Sequence, residues 1–136
     1  MSKTSRGFRN KNPLNIEYNK HNKWDGQTGV EPQGRFAQFS EMKYGVRAGA
    51  KLLQTYMGKY GLRTVHGIIN RWAPAHENDS HGYAEFVAKG VGVHIHDLVS
   101  VDDIPDIIYF MVKMECGSYL DMDTIEEGCQ LAGVPV

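Results

Sequence analysis

Cysteine is scarce in this chain of 136 residues: Cys116 and Cys129 are the only two. That is too few for a disulfide framework, and neither has the partners of a zinc site, so both read as buried thiols. Long apolar runs are missing as well. No stretch approaches the roughly 20 apolar residues that span a bilayer, and "MSKTSRGFRNKN" lacks the apolar centre of a signal peptide. A protein made soluble in the cytoplasm, with no membrane insertion, is the expectation. Charge of either sign is not in excess. A formal net charge of −1 leaves no broad electrostatic footprint for nucleic acid, although Lys3, Arg6, Arg9 and Lys11 make the start locally basic. That arm reads first as a flexible or surface-hugging terminus and second as an anion-binding element. Repeats and low-complexity segments are absent, which excludes solenoids and tails. The "HIH" run at 94–96 could pinch a metal on an extended segment. No Cys or carboxylate cluster at matching spacing accompanies it, so neither a metal nor another cofactor is expected.

What is present suits one compact domain: 41% of the residues are hydrophobic, enough for a real core at this length. The first third is rich in turn formers. "NPLNIEY" offers a brief extended run after Asn12-Pro13, "WDGQTG" reads as turns, and "GRFAQF" reads as a strand without strict alternation. The period then becomes helical. Tyr44, Ala48, Leu52, Tyr56 and Met57 mark one helix from about Glu41 that ends near Gly58 to Gly61. Thr64 caps a second, with Val65, Ile68, Ile69 and Trp72 as its apolar face, and Pro74 ends it. "ENDS" at 77–80 caps a third that carries Tyr83, Phe86 and Val87 and stops near Gly90. Ser100 and Asp103 form a capping-box-like pair for a fourth. Asp123 or Thr124 caps a last short helix before Gly133. The expected architecture is mainly α, of the α+β class, in a single domain 1–136. It comprises a basic arm at 1–11, a β-lobe at 12–40 and a helical lobe at 41–136.

The fourth helix carries the one unusual carboxylate. Ile108, Met111, Val112 and Glu115 fall at i, i+3, i+4 and i+7, so Glu115 shares a face with an apolar stripe. Gly117 is a plausible terminator, which puts Glu115 in the last turn, where unpaired carbonyls oppose a negative charge. Burial and helix end both favour the protonated acid. Spacing alone leaves two readings open: a general acid, or a last-turn glutamate whose stem packs while its head reaches water.

The sequence "RGFRNKNPLNIEY…WDGQTG…GRFAQFSEMKYGVRAGAKLL…IINRWAPAHENDSHGY" resembles, over nearly the whole chain, a family of small bacteriophage-encoded virion proteins that look like lysozyme-superfamily muramidases. That family usually ends its long C-terminal helix with a glutamate, a small residue and glycine; here the segment is "MECG", with Cys116 in place of the more usual small polar residue. Lytic transglycosylases and flagellar-type glucosaminidases are similar too. They carry a helix ending in a catalytic glutamate, followed by an Asn-Asn-Pro-like turn and a Trp-Gly segment. Both parts occur here in reversed order, "NKNPLNI" and "KWDG" first and "KMECGSY" last. The resemblance therefore implies a lysozyme-like fold in circular permutation, which is tolerable where the original termini lie close together on the surface.

The same resemblance implies a phage lysis or virion-associated enzyme that cleaves the β-1,4 bond between N-acetylmuramic acid and N-acetylglucosamine. Glu115 would be its general acid. Glu31, in "TGVEPQG", is the better placed candidate for a second carboxylate, with Asp25 next; a transglycosylase would need neither, because the substrate's 6-hydroxyl attacks. Glu77 reads mainly as part of a cap and turn, with a hydrogen-bonding role toward substrate as the alternative. Tyr18, Trp24, Tyr83 and Tyr119 are the aromatics expected to stack on sugar rings. Asn15 and Gln38 could orient N-acetyl groups, whereas Trp72, Phe86 and Tyr56 sit at core spacing. The partner would be bacterial peptidoglycan, reached through a membrane lesion or by virion delivery, and the protein would act as a monomer, free or within a virion. The competing class is a non-enzymatic virion or tail assembly protein of the same fold.

Overall fold

The structure, a computed structural model, describes residues 4–136. Of the basic arm, residues 1–3, Lys3 among them, lie outside the described residues. From Ser5 on the arm is not a loose tail. Ser5 accepts a hydrogen bond from the Phe8 amide and caps a short helix α1, Arg6–Arg9, which is the expected use of a serine hydroxyl before a first turn. Asn12 then fixes the "NPLNI" turn. Its buried amide donates to the Ile16 and Ala37 carbonyls and accepts from the Ile16 amide, each at 2.9 Å.

Strands β1, Gln27–Val30, and β2, Ala37–Phe39, pair antiparallel as a two-stranded sheet with an irregularity between Gln27 and Gly29. Glu17 bridges to Phe36 beside them, so the "NIEY" run joins this lobe in extended form. Helices α2, Met42–Gly58, and α3, Val65–Trp72, follow, the latter capped by Thr64 as its sequence suggests. Helix α4, Ser80–Val91, is capped by Asp79. It runs past Gly90 and ends at Gly92, whose φ of 94° supplies the left-handed turn. Gly90 instead lies under the Phe110 ring, with no room there for a side chain. The Ser100–Asp103 capping box forms, on a 3-10 turn that leads into α5, Ile104–Cys116, and Gly117 ends α5 at φ 75°. Asp121, not Asp123 or Thr124, caps α6, Met122–Leu131: its carboxylate accepts from both the amide and the hydroxyl of Thr124. The fold is thus mainly helical with one small sheet.

Helix α2 packs against α6, α5, α3 and β2, while α4 packs on α3 and α5, and glycines set how closely two segments approach α2. A Cβ at Gly45 would lie 2.5 Å from the Lys11 carbonyl, and one at Gly128 would lie 2.6 Å from the Lys43 carbonyl. The N-terminal turn and α6 therefore approach α2 at backbone distance. Leu53, Met57, Ile68, Ile69, Ile107, Ile108, Met111 and Ile125 fill the space between the helices and are fully buried or nearly so, each contributing about 1.5–3 kcal/mol through burial. Cys116 and Cys129 are free and buried. Among the described residues no helix is long and apolar enough to cross a membrane.

Candidate functional site

Glu115 stands where the apolar stripe of α5 runs out. Met111 and Val112 on the same face are completely buried, and Glu115 itself is half-buried. Tyr83 of α4 donates its phenol to Oε2 at 2.9 Å. From the other side Asn15 donates its amide to both Oε1 and the backbone carbonyl of Glu115, each at 3.2 Å. Asn15 achieves this in a left-handed conformation, φ 53°, which asparagine tolerates better than most residues. One amide thus holds the carboxylate and also satisfies a carbonyl at the helix end.

The electrostatics follow from this cage. Burial pushes the Glu115 carboxyl above its ordinary value, against hydrogen bonds from Tyr83, Asn15 and the Trp72 side chain that favour the anion. Its position in the last turn of α5 acts in the same direction as burial. Tyr83 is itself held far above the usual phenol value, by burial first and by Glu115 second, so its hydroxyl remains a donor.

Glu115 opens onto a groove. A cavity of about 150 Å³ is lined by Asn15, Glu17, Trp72, Glu77 and Glu115 among others. A second, of about 160 Å³, shares Asn15, Glu17 and Trp72 with it and adds Ile16, Leu52 and Tyr56. A third, of about 600 Å³, shares Ile16, Glu17 and Leu52 with the second and reaches Tyr18, Lys20, His21 and Trp24. Wall residues shared from one to the next set the three side by side, a line of neighbouring cavities, here the channel, that leads from the carboxylate toward Trp24 with aromatic side chains in each.

The expected site residues separate in this geometry. Asn15, Tyr18, Trp24 and Glu77 line the channel with Glu115. Glu77 is exposed and does not cap α4. Tyr83 belongs to the site but not as an open stacking face: it is only 6% exposed and serves Glu115 from below. Tyr119 stacks on Tyr109 with ring centroids 4.8 Å apart, under Lys113, and does not line these cavities. Glu31 is not brought to Glu115 at all. It is buried at 3% exposure, bound by Nε and Nη2 of the Arg6 guanidinium, by the Asn10 side-chain amide and by the Phe36 backbone amide. That environment, Arg6 foremost, holds its carboxyl down to about 2. Asp25 pairs with Arg47 at 3.2 Å, and Gln38 is taken up by Asn10.

Three groove residues escape the sequence reading. Tyr56 and Trp72 have core spacing but lie edge to face, centroids 6.3 Å apart, as a wall of the channel. Glu17 lines all three cavities and pairs with Arg35 at 3.1 Å. Its signal is alternation: Ile16 points inward, so Glu17 in the same extended run must point out. His96 meets His66, centroids 4.7 Å apart, rather than His94. Among the described residues no group of three or more His, Cys, Asp or Glu side chains is placed to hold a metal ion.

No family model matches the sequence. Protein P5 of Pseudoalteromonas phage PM2, however, is 39% identical over 120 residues, covering 87% of this chain and 75% of the phage protein. The chain belongs to the Protein P5 family. Its relative is therefore a bacteriophage protein, and the matched length is enough to include both the β-lobe and the helical lobe of this P5-family chain.

Proposed function

We propose that this P5-family protein is a peptidoglycan glycosidase that cleaves the β-1,4 bond between N-acetylmuramic acid and N-acetylglucosamine, with Glu115 as general acid. The observation that carries the reading is a half-buried carboxyl, raised in pKa by burial, in the wall of a cavity that it shares with Trp72 and Phe36. A glycosidase needs an acid that holds its proton long enough to protonate the leaving oxygen, and burial shifts the Glu115 carboxyl in that direction. Trp24, Tyr18, Tyr56 and Trp72 offer faces and edges for pyranose rings. Glu17 and Glu77, the other carboxylates in the Glu115 cavity, are the residues available as base or nucleophile. Glu31 is engaged by Arg6 and serves the fold. Where neither Glu17 nor Glu77 is needed, the substrate's own 6-hydroxyl attacks and an anhydro sugar results.

The lysozyme-like fold in circular permutation belongs to this proposal, supported by the juxtaposition of the "NKNPLN" turn with the end of the Glu115 helix through Asn15. Action on the wall follows a membrane lesion or virion delivery. A second reading, a non-enzymatic virion component, is favoured by the exposed Tyr119 and Met114 at the end of α5. Clearing of chloroform-permeabilised Gram-negative cells separates the two: the glycosidase clears them and its Glu115→Gln variant does not, whereas an assembly protein leaves turbidity unchanged.

A further inference from the structure

The end of the channel farthest from Glu115 carries charge that glycan hydrolysis does not require. Two hydrogen bonds onto Asn19, from the His21 amide to Oδ1 and from the Asn22 amide to the carbonyl, each at 2.9 Å, fold "NKHN" into a tight turn. That turn lines the 600 Å³ cavity together with Tyr18, Trp24 and Leu52. The nearby carboxylates have cationic partners of their own: Glu17 pairs with Arg35 and Asp25 with Arg47. Lys20, His21 and Lys23 are exposed, and none of them enters an ion pair among the described residues. In a chain of net charge −1, this is a local positive field placed beside two aromatic rings.

We infer that this end of the channel is a subsite for a sugar bearing a carboxylate, the ring lying against Trp24 or Tyr18 and the carboxylate facing Lys20 of the cavity wall, with the exposed Lys23 close by in sequence adding to the field. The inference rests on the glycan reading of the channel above and adds its specificity. In peptidoglycan the carboxylate has two sources, the stem peptide and the lactyl group exposed once that peptide is removed. Neutral chitin-type oligosaccharides carry neither and fill the aromatic part of the subsite only.

The test uses the full chain with Glu115→Gln to prevent turnover, and follows tryptophan fluorescence, since both tryptophans, Trp24 and Trp72, line the channel. The probes are chitohexaose, amidase-stripped glycan chains and peptide-bearing glycan chains. Carboxylated chains bind about three- to tenfold more tightly than chitohexaose at low salt, the scale of a few exposed ion pairs, and the advantage shrinks as salt is raised. Adding Lys20→Gln and Lys23→Gln, both on an exposed loop, brings the carboxylated chains down to the chitohexaose value. Peptide-bearing chains above stripped ones identify the stem as the source; equal binding of the two, above chitohexaose, identifies the lactyl group. Equal affinity for all three probes, or a preference that survives the lysine changes, overturns the inference and leaves the glycan channel standing. No binding of any probe overturns the glycan channel itself.

Discussion

Replacing Glu115 by glutamine makes a prediction about stability that is independent of any substrate. The amide keeps the cage: its oxygen accepts from Asn15, which now donates to Oε1 at 3.2 Å, and its NH₂ can donate to the Tyr83 hydroxyl, now 2.9 Å from Oε2. Only the charge is lost. In the folded protein burial raises the carboxyl above its ordinary 4.5, so the folded state holds the proton more tightly than the unfolded state. Stability is then highest below the unfolded value and falls as pH rises through the folded one. Glutamine does not titrate, and the variant escapes that fall. Relieving a buried functional charge commonly gains about 0.5–2 kcal/mol, which for a domain of this size raises Tm by roughly 2–6 °C at pH 7.5. Thermal unfolding of both proteins from pH 3.5 to 8.5 measures this. The gap should be near zero at the acid end and grow above pH 4.5. A variant less stable than wild type at pH 7.5, or a gap independent of pH, refutes the buried-acid argument.

Glu31 behaves oppositely. Its folded value of about 2 lies below the unfolded one, so its stabilisation is present above about 4.5 and is lost as pH falls toward 2; Glu31→Gln lowers Tm at pH 7, and calorimetry finds the difference narrowing across that window. Tyr83→Phe keeps the buried ring but removes a donor that favours the Glu115 anion, so the basic limb of the pH–activity profile moves to higher pH, checked by initial rates of wall digestion. Gly128→Ala forces a Cβ against the Lys43 carbonyl and the Val46 side chain and costs about 1–3 kcal/mol by overpacking the α2–α6 contact, read from urea unfolding.

Helix ends and apolar stripes were legible because their causes are local. Thr64, Ser100 with Asp103, and Gly117 all act within a turn of themselves, and the i, i+3, i+4, i+7 stripe correctly aimed Glu115 inward. What was not legible depends on distant chain. Asn15 reaches Glu115 across 100 residues, and nothing near "NPLNI" announces that partner. Glu31 sits among turn formers and reads as the second carboxylate of the site; it is instead held by Arg6, 25 residues upstream, on an arm that composition alone made look loose. Trp72 has the spacing of a core residue because one helical face can be half core and half groove wall, and period does not divide them. Glu77 and Asp79 differ by two positions in one cap-like run, and only the turn geometry decided that Asp79 holds the helix and Glu77 faces the channel.

On the proposed reading Glu115 protonates a glycosidic oxygen. The measurement that meets it most directly is mass spectrometry of muropeptides released from purified Gram-negative peptidoglycan by the wild type and by Glu115→Gln, with folding of both confirmed by circular dichroism. Disaccharide-peptide fragments are expected from the wild type, with reducing or anhydro ends according to whether water or the 6-hydroxyl attacks. Release by the variant is expected to be slower by about 10²–10⁴-fold, the usual worth of a general acid. Fragments released equally by both proteins, or by neither, would contradict it.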